Sequence, residues 1–135
     1  MDTPAKVLVA DDDDDFRGMI CDYLTEEGYT VIEASDGLQA FDKTLNERPD
    51  VLLLDVMMPG RGGYDVCRDL KIAERQDHKC IVVMLTAKAS LQDKLAGFMS
   101  GASRYICKPC QLSEISECIE TALTQRSITE RSIDD

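Results

Sequence analysis

Short apolar runs alternate with longer amphipathic stretches along this chain. The apolar runs are Lys6-Val7-Leu8-Val9-Ala10, Thr30-Val31-Ile32-Glu33-Ala34, Val51-Leu52-Leu53-Leu54, Ile81-Val82-Val83-Met84-Leu85 and Tyr105-Ile106-Cys107. None alternates strictly between apolar and polar, so each reads as a strand covered on both faces. Between the runs, apolar residues recur at helical spacing: Phe16, Ile20, Tyr23 and Leu24; Leu38, Phe41 and Leu45; Val66, Leu70 and Ala73; Leu91, Leu95, Phe98 and Met99; Ile115, Cys118, Ile119 and Leu123. These stripes predict five helices packed inward on the sheet. Five strands alternating with five helices predict an α/β fold, a doubly wound parallel sheet with helices on both faces.

Punctuation agrees with this division. Gly28 suits the position after the first helix, and Gly101 closes the fourth. Ser35 or Asp36 can cap the second helix. Pro49 precedes the central strand, and Gly60 to Gly63 reads as a flexible loop. The pattern ends near Thr124, which predicts a domain over residues 1–124 and a polar, frayed tail or linker over 125–135.

The chain has 135 residues, 44% of them hydrophobic, enough for one domain with a real core. Its formal charge of −11, with no basic cluster, argues against binding to nucleic acid through phosphates and to an anionic membrane surface. With no signal peptide and no apolar run of spanning length, the expected location is cytoplasmic, with reduced thiols. Cys107-Lys108-Pro109-Cys110 is formally a C-x-x-C pair, but it lies late in the chain, where two ordinary thiols are the better reading. Zinc is disfavoured because His78 is the only histidine.

Candidate chemistry collects at the carboxyl ends of the strands, where open parallel sheets bind ligands. The first strand runs into Asp11 and Asp12, the third into Asp55, the fourth into Thr86 and the fifth into Lys108. Each has a bland alternative: a cap, a solvated first turn or a surface lysine. For Asp13, Asp14 and Asp15 the helix-start reading is preferred. The other five fall together at strand ends, and that favours function. Three converging carboxylates repel unless a cation neutralises them. Oxygen donors without histidine or thiol point to Mg²⁺. A lysine and a hydroxyl at the same rim suit phosphoryl oxygens, so the pattern predicts Mg²⁺-dependent phosphoryl transfer onto an aspartate.

The motifs V-L-V-A-D-D, L-L-L-D-V-M-M-P-G, M-L-T-A and Y-I-C-K-P resemble those of response-regulator receiver domains of two-component signalling, from about Lys6 to Leu123. The resemblance implies a flavodoxin-like sheet of order 2-1-3-4-5, the order known from a chemotaxis member of that family. It implies that Asp55 is the phosphoacceptor. Asp11 and Asp12 would position Mg²⁺, with Asp55 and the Met57 backbone carbonyl as further ligands. Thr86 would be the switch hydroxyl, Lys108 the partner of a phosphoryl oxygen and Tyr105 the aromatic switch. Pro109 would follow a cis peptide. Implied partners are a sensor histidine kinase or phosphotransfer protein and a downstream output, and the resemblance admits a phosphorylation-dependent homodimer. Met57 and Lys88 would flank the water path to the phosphoryl group, which predicts slow self-dephosphorylation and no other enzyme activity. Cys110 departs from the usual Phe, and the segment before Tyr105 lacks the acidic residues of one DNA-binding subclass.

Two other classes compete. A phosphatase with an aspartate nucleophile needs a second acid two residues on, where Met57 stands. A receiver-like interaction module without phosphorylation would not need all five polar residues.

Overall fold

The computed structural model describes residues 3–73, 80–87 and 90–134. Five strands, β1 (Lys6–Ala10), β2 (Thr30–Ala34), β3 (Val51–Asp55), β4 (Ile81–Thr86) and β5 (Arg104–Cys107), alternate with five helices, α1 (Asp14–Glu26), α2 (Gly37–Glu47), α3 (Gly63–Ala73), α4 (Leu91–Met99) and α5 (Leu112–Asp134). The strands form one parallel sheet in the order β2-β1-β3-β4-β5. β3 and β4 are buried along their whole length, as their unbroken apolar runs require. The side chains of each strand alternate between two cores. Leu8, Leu52, Leu54, Val82 and Met84 meet Val66, Cys67 and Leu70 of α3 on one face. Val7, Val9, Leu53 and Val83 meet α1 and α5 on the other.

The caps follow the sequence. Asp13 accepts the Phe16 N–H at 3.1 Å and opens α1, while Asp36, rather than Ser35, accepts the Gln39 N–H at 2.8 Å and opens α2. Gly28 follows α1 with φ of +103°, the left-handed geometry glycine adopts without cost.

Three helices differ from the expectation of inward apolar stripes. In α2, Leu38 and Leu45 are exposed and Phe41 is half-buried, while Gly37, Ala40 and Thr44 face the core. The cause is close approach: a Cβ at Gly37 would lie 2.1 Å from the Arg61 carbonyl oxygen. α2 therefore packs through its small residues, and its larger side chains turn outward. α4 does the same, exposing Leu95, Phe98 and Met99 and burying Gly97; the Leu91 side chain lies outside the described residues. In α3, Ala73 is exposed and Cys67 takes the inward place. The last helix runs on to Asp134, ten residues past Thr124, where the apolar pattern had suggested fraying. Gln125 and Arg126 hold that extension, through Arg104 and Asp50 respectively.

Candidate functional site

The carboxyl ends of β1 and β3 deliver two buried aspartates side by side. Asp11 and Asp55 are built alike. Asp11 Oδ1 accepts the N–H of Asp13 at 2.9 Å, and Asp55 Oδ1 accepts the N–H of Met57 at 3.0 Å. In both, the residue two positions on fixes one oxygen and leaves the other to a further partner. Those second oxygens converge on Lys108, whose Nζ lies 2.9 Å from Asp11 Oδ2 and 3.2 Å from Asp55 Oδ2. Lys108 leaves the end of β5 and passes over the Phe16 ring, 4.6 Å from its centroid. Its backbone N–H donates to the Thr86 carbonyl at 2.8 Å, which ties the end of β5 to the end of β4.

Opposing influences act on Asp55. Burial raises the pKa of Asp55, with the Asp11 charge adding to it, against the Met57 N–H and Lys108, which pull it down. Burial works against the Lys108 charge, but the two carboxylates outweigh it and its pKa lies above the ordinary value. Asp12 is exposed on the rim and completes a cluster in which one carboxylate oxygen each from Asp11, Asp12 and Asp55 lies within 4.8 Å of the others. Three hard oxygen donors, with no histidine or thiol among them, fit a divalent ion such as Mg²⁺.

Every strand-end residue singled out from the sequence stands at this end of the sheet. Thr86 is fully buried at the end of β4. Met57 is exposed in the loop after β3. Tyr105 is half-buried on β5, three residues before Lys108. The Lys108–Pro109 peptide is cis. Asp13 caps α1, and Asp14 and Asp15 lie in its first turn. Lys88 and His78 lie outside the described residues.

Three contributors escaped the sequence reading. Arg17 donates to the Asp11 carbonyl at 2.7 Å and pairs with Asp14 and Glu33, which fixes the turn that aims the acidic pair. Phe16 was placed on a core stripe, but it also carries Lys108. Gly63 is pressed against the site from beneath: a Cβ there would lie 2.5 Å from the Asp55 carbonyl oxygen. Only the glycine in G-R-G-G after the M-P pair hinted at that approach.

Residues 7–120 match the response regulator receiver domain family. The chain belongs to that family. It is a receiver domain of two-component signalling, and the sheet order is the one the resemblance implied. It is 37% identical over 123 residues to a protein of Guillardia theta described as the probable transcriptional regulator ycf27. That match covers 91% of this chain and 47% of the relative, so the chain spans about half the length of that curated protein. Among solved structures it resembles the Vibrio cholerae chemotaxis protein CheY4, with a TM-score of 0.82, 29% identity and coverage of 88% of this chain and 98% of the other. A CheY-like receiver domain protein from Methanospirillum hungatei JF-1, at 24% identity, shares the fold with a TM-score of 0.87 over 94% of this chain and 99% of the other. Among the described residues no helix is long and apolar enough to cross a membrane.

Proposed function

We propose that this receiver is a phosphorylation-activated switch that takes a phosphoryl group onto Asp55 from a sensor histidine kinase or a phosphotransfer protein. The observation that carries the reading is the shared cation: one lysine bridges two buried aspartates at the end of the central strand. A carboxylate oxygen of Asp55 attacks phosphorus, the bond from phosphorus to the donor's nitrogen or oxygen breaks, and the leaving group takes the electron pair. The product is an acyl phosphate on Asp55. Its carboxylate is an available nucleophile because one oxygen is already oriented by the Met57 N–H. Lys108 then moves from the carboxylates to a phosphoryl oxygen, keeping one cation beside the transferred charge. Thr86 supplies a hydroxyl to the same group, and Tyr105 responds as the aromatic switch.

Asp11, Asp12, Asp55 and the Met57 backbone carbonyl are the proposed Mg²⁺ ligands. Bound there, the ion would neutralise the acidic cluster and the phosphoryl oxygens. Apart from taking up a phosphoryl group and losing it slowly by hydrolysis, the domain has no enzymatic role in this reading. The six free cysteines support a reducing, cytoplasmic setting. The signal passes to an output domain or a downstream protein, with residues 125–135 as tail or linker; the likeness to a transcriptional regulator of about twice this length supports an attached output.

The test is intact-mass spectrometry after incubation with acetyl phosphate, with and without Mg²⁺. One Mg²⁺-dependent phosphoryl increment is the expected result. Steady turnover would instead identify a hydrolase, and an unchanged mass an interaction module.

A further inference from the structure

Tyr64 is the second residue of α3, next to Gly63, whose backbone lies against that of Asp55 and donates to the Val56 carbonyl at 3.0 Å. From there its side chain reaches two other elements. Its hydroxyl donates to the Asp93 carbonyl in the first turn of α4 at 2.9 Å. The Tyr105 ring on β5 lies beside it around Gly97, and hydrogen bonding to Tyr64 is among the causes that raise the Tyr105 pKa, so the geometry aligns Tyr105, Tyr64 and the Asp93 carbonyl. Hydrogen bonds in such an alignment polarise one another. The turn that receives it is itself closed, since Ser90 Oγ accepts the Asp93 N–H at 3.1 Å and donates to Asp93 Oδ2 at 2.6 Å. Gly97, one helical turn further on, completes the arrangement. A Cβ there would lie 3.2 Å from the Tyr105 ring and 3.6 Å from the Tyr64 ring. A mid-helix glycine costs about 0.5–1 kcal/mol against alanine, and here the missing Cβ makes room for the two rings.

We propose that Tyr64 is a positioning residue that latches Tyr105 to the first turn of α4, giving Asp55 a mechanical link to that helix through Gly63. The proposal rests on the reading of Asp55 as phosphoacceptor. Ordering this side of the site in advance lowers the entropy lost when a phosphoryl group is bound, so removing the latch weakens that binding.

The experiment compares wild type, Tyr64→Phe, Tyr105→Phe and the double variant, each titrated with beryllofluoride in Mg²⁺ and read from the amide resonances of α4. Tyr64→Phe keeps the ring and removes one hydroxyl, so the packing survives. The expected result is a half-saturating concentration raised about two- to tenfold in the Tyr105 background, the range one hydrogen bond supports. In the Tyr105→Phe background the effect shrinks, because the residue acts through its partner. An unchanged or lowered concentration, or the same shift in both backgrounds, overturns the proposal. A second readout is independent of Asp55. Tyr105 faces Tyr64, Asp93 and Cys107, and burial with the Tyr64 hydrogen bond holds its hydroxyl well above the ordinary tyrosine range. Carbon-13 labelled tyrosine, followed through alkaline titration, is expected to show Tyr105 ionising at lower pH once Tyr64 is Phe. An unmoved Tyr105 titration overturns the latch. If wild type binds no beryllofluoride, the phosphoacceptor reading fails, and the tyrosine titration alone still decides on the latch.

Discussion

β3 carries an aspartate at each end, and the two have opposite fates. Asp50, just before the strand, accepts the Lys6 N–H at 2.8 Å on one oxygen and Arg126 at 3.2 Å on the other. Its backbone N–H and carbonyl also pair, with Lys6 and Ile81 at 2.8 and 2.9 Å. Each of its side-chain oxygens has a donor of its own, and no carboxylate stands beside it in these contacts. Asp55, at the other end, shares its lysine with a second buried carboxylate. The residue type and the strand are the same. What differs is the ratio of donors to negative charges: Asp50 is fully paired, while the proposed phosphoacceptor shares its cation with a second carboxylate.

Exchanging the two ends experimentally is the strongest test. Asp55→Asn is expected to abolish phosphorylation by acetyl phosphate, because it removes the proposed nucleophile and a proposed metal ligand together, while the fold survives. A variant that still gained a Mg²⁺-dependent phosphoryl group at an aspartate would sink the assignment. Asp50→Ala is expected to do the reverse: phosphorylation persists, and stability falls by about 1–3 kcal/mol as the Lys6 N–H and Arg126 lose their acceptor. Thermal melting should register that as a drop of roughly 3–10 °C. Loss of phosphorylation in folded Asp50→Ala would erase the contrast.

The end that carries the candidate site was the legible one. Strands of a parallel sheet stop at their carboxyl edge, and Asp11, Asp12, Asp55, Thr86 and Lys108 each stand where an apolar run stops. The spacing of runs therefore located the site. The structural end was not legible, because Asp50 and Arg126 meet across 76 residues, and nothing local in either sequence segment announces the other. The outward stripes of α2 and α4 escaped for a different reason. Periodicity weighs hydrophobicity, but these helices make their contacts through Gly37, Ala40, Thr44 and Gly97, where small size decides. Tyr64 combined both difficulties, being a polar-tipped aromatic whose partners lie on other elements.

A finer comparison lies within the acidic run. Asp12 belongs to the cluster of three carboxylates, while Asp14 is exposed and pairs with Arg17 at 2.6 Å. Asp12→Ala is expected to weaken Mg²⁺ binding more than Asp14→Ala in a direct titration, since only the first removes a coordinating oxygen. Equal affinities would contradict the ligand set. In wild type, Mg²⁺ at about ten times its Kd should stabilise the fold by roughly 1.4 kcal/mol. A melting temperature indifferent to Mg²⁺ would count against a metal here.

The smallest effect concerns a buried acid away from the strand-end site. Cys21 on α1 is buried, and desolvation, with Glu33 adding to it, pushes its thiol up to about 12. The thiol is therefore neutral in the folded protein and ionises more readily once unfolded. Its folded pKa is the raised one, so its contribution is fully present below the unfolded pKa near 9.0 and is lost as pH rises from there towards about 12. At pH 10 the loss is about 1.4 kcal/mol, one unit above the unfolded value. Other groups titrate in that range, so the measurement is a difference: urea melts of wild type and Cys21→Ala from pH 7 to pH 10. Wild type should lose stability more steeply than the variant, and its folded thiol should resist alkylation at pH 8. Parallel slopes, or rapid labelling of the folded protein at Cys21, would show that burial there does not hold the thiol neutral.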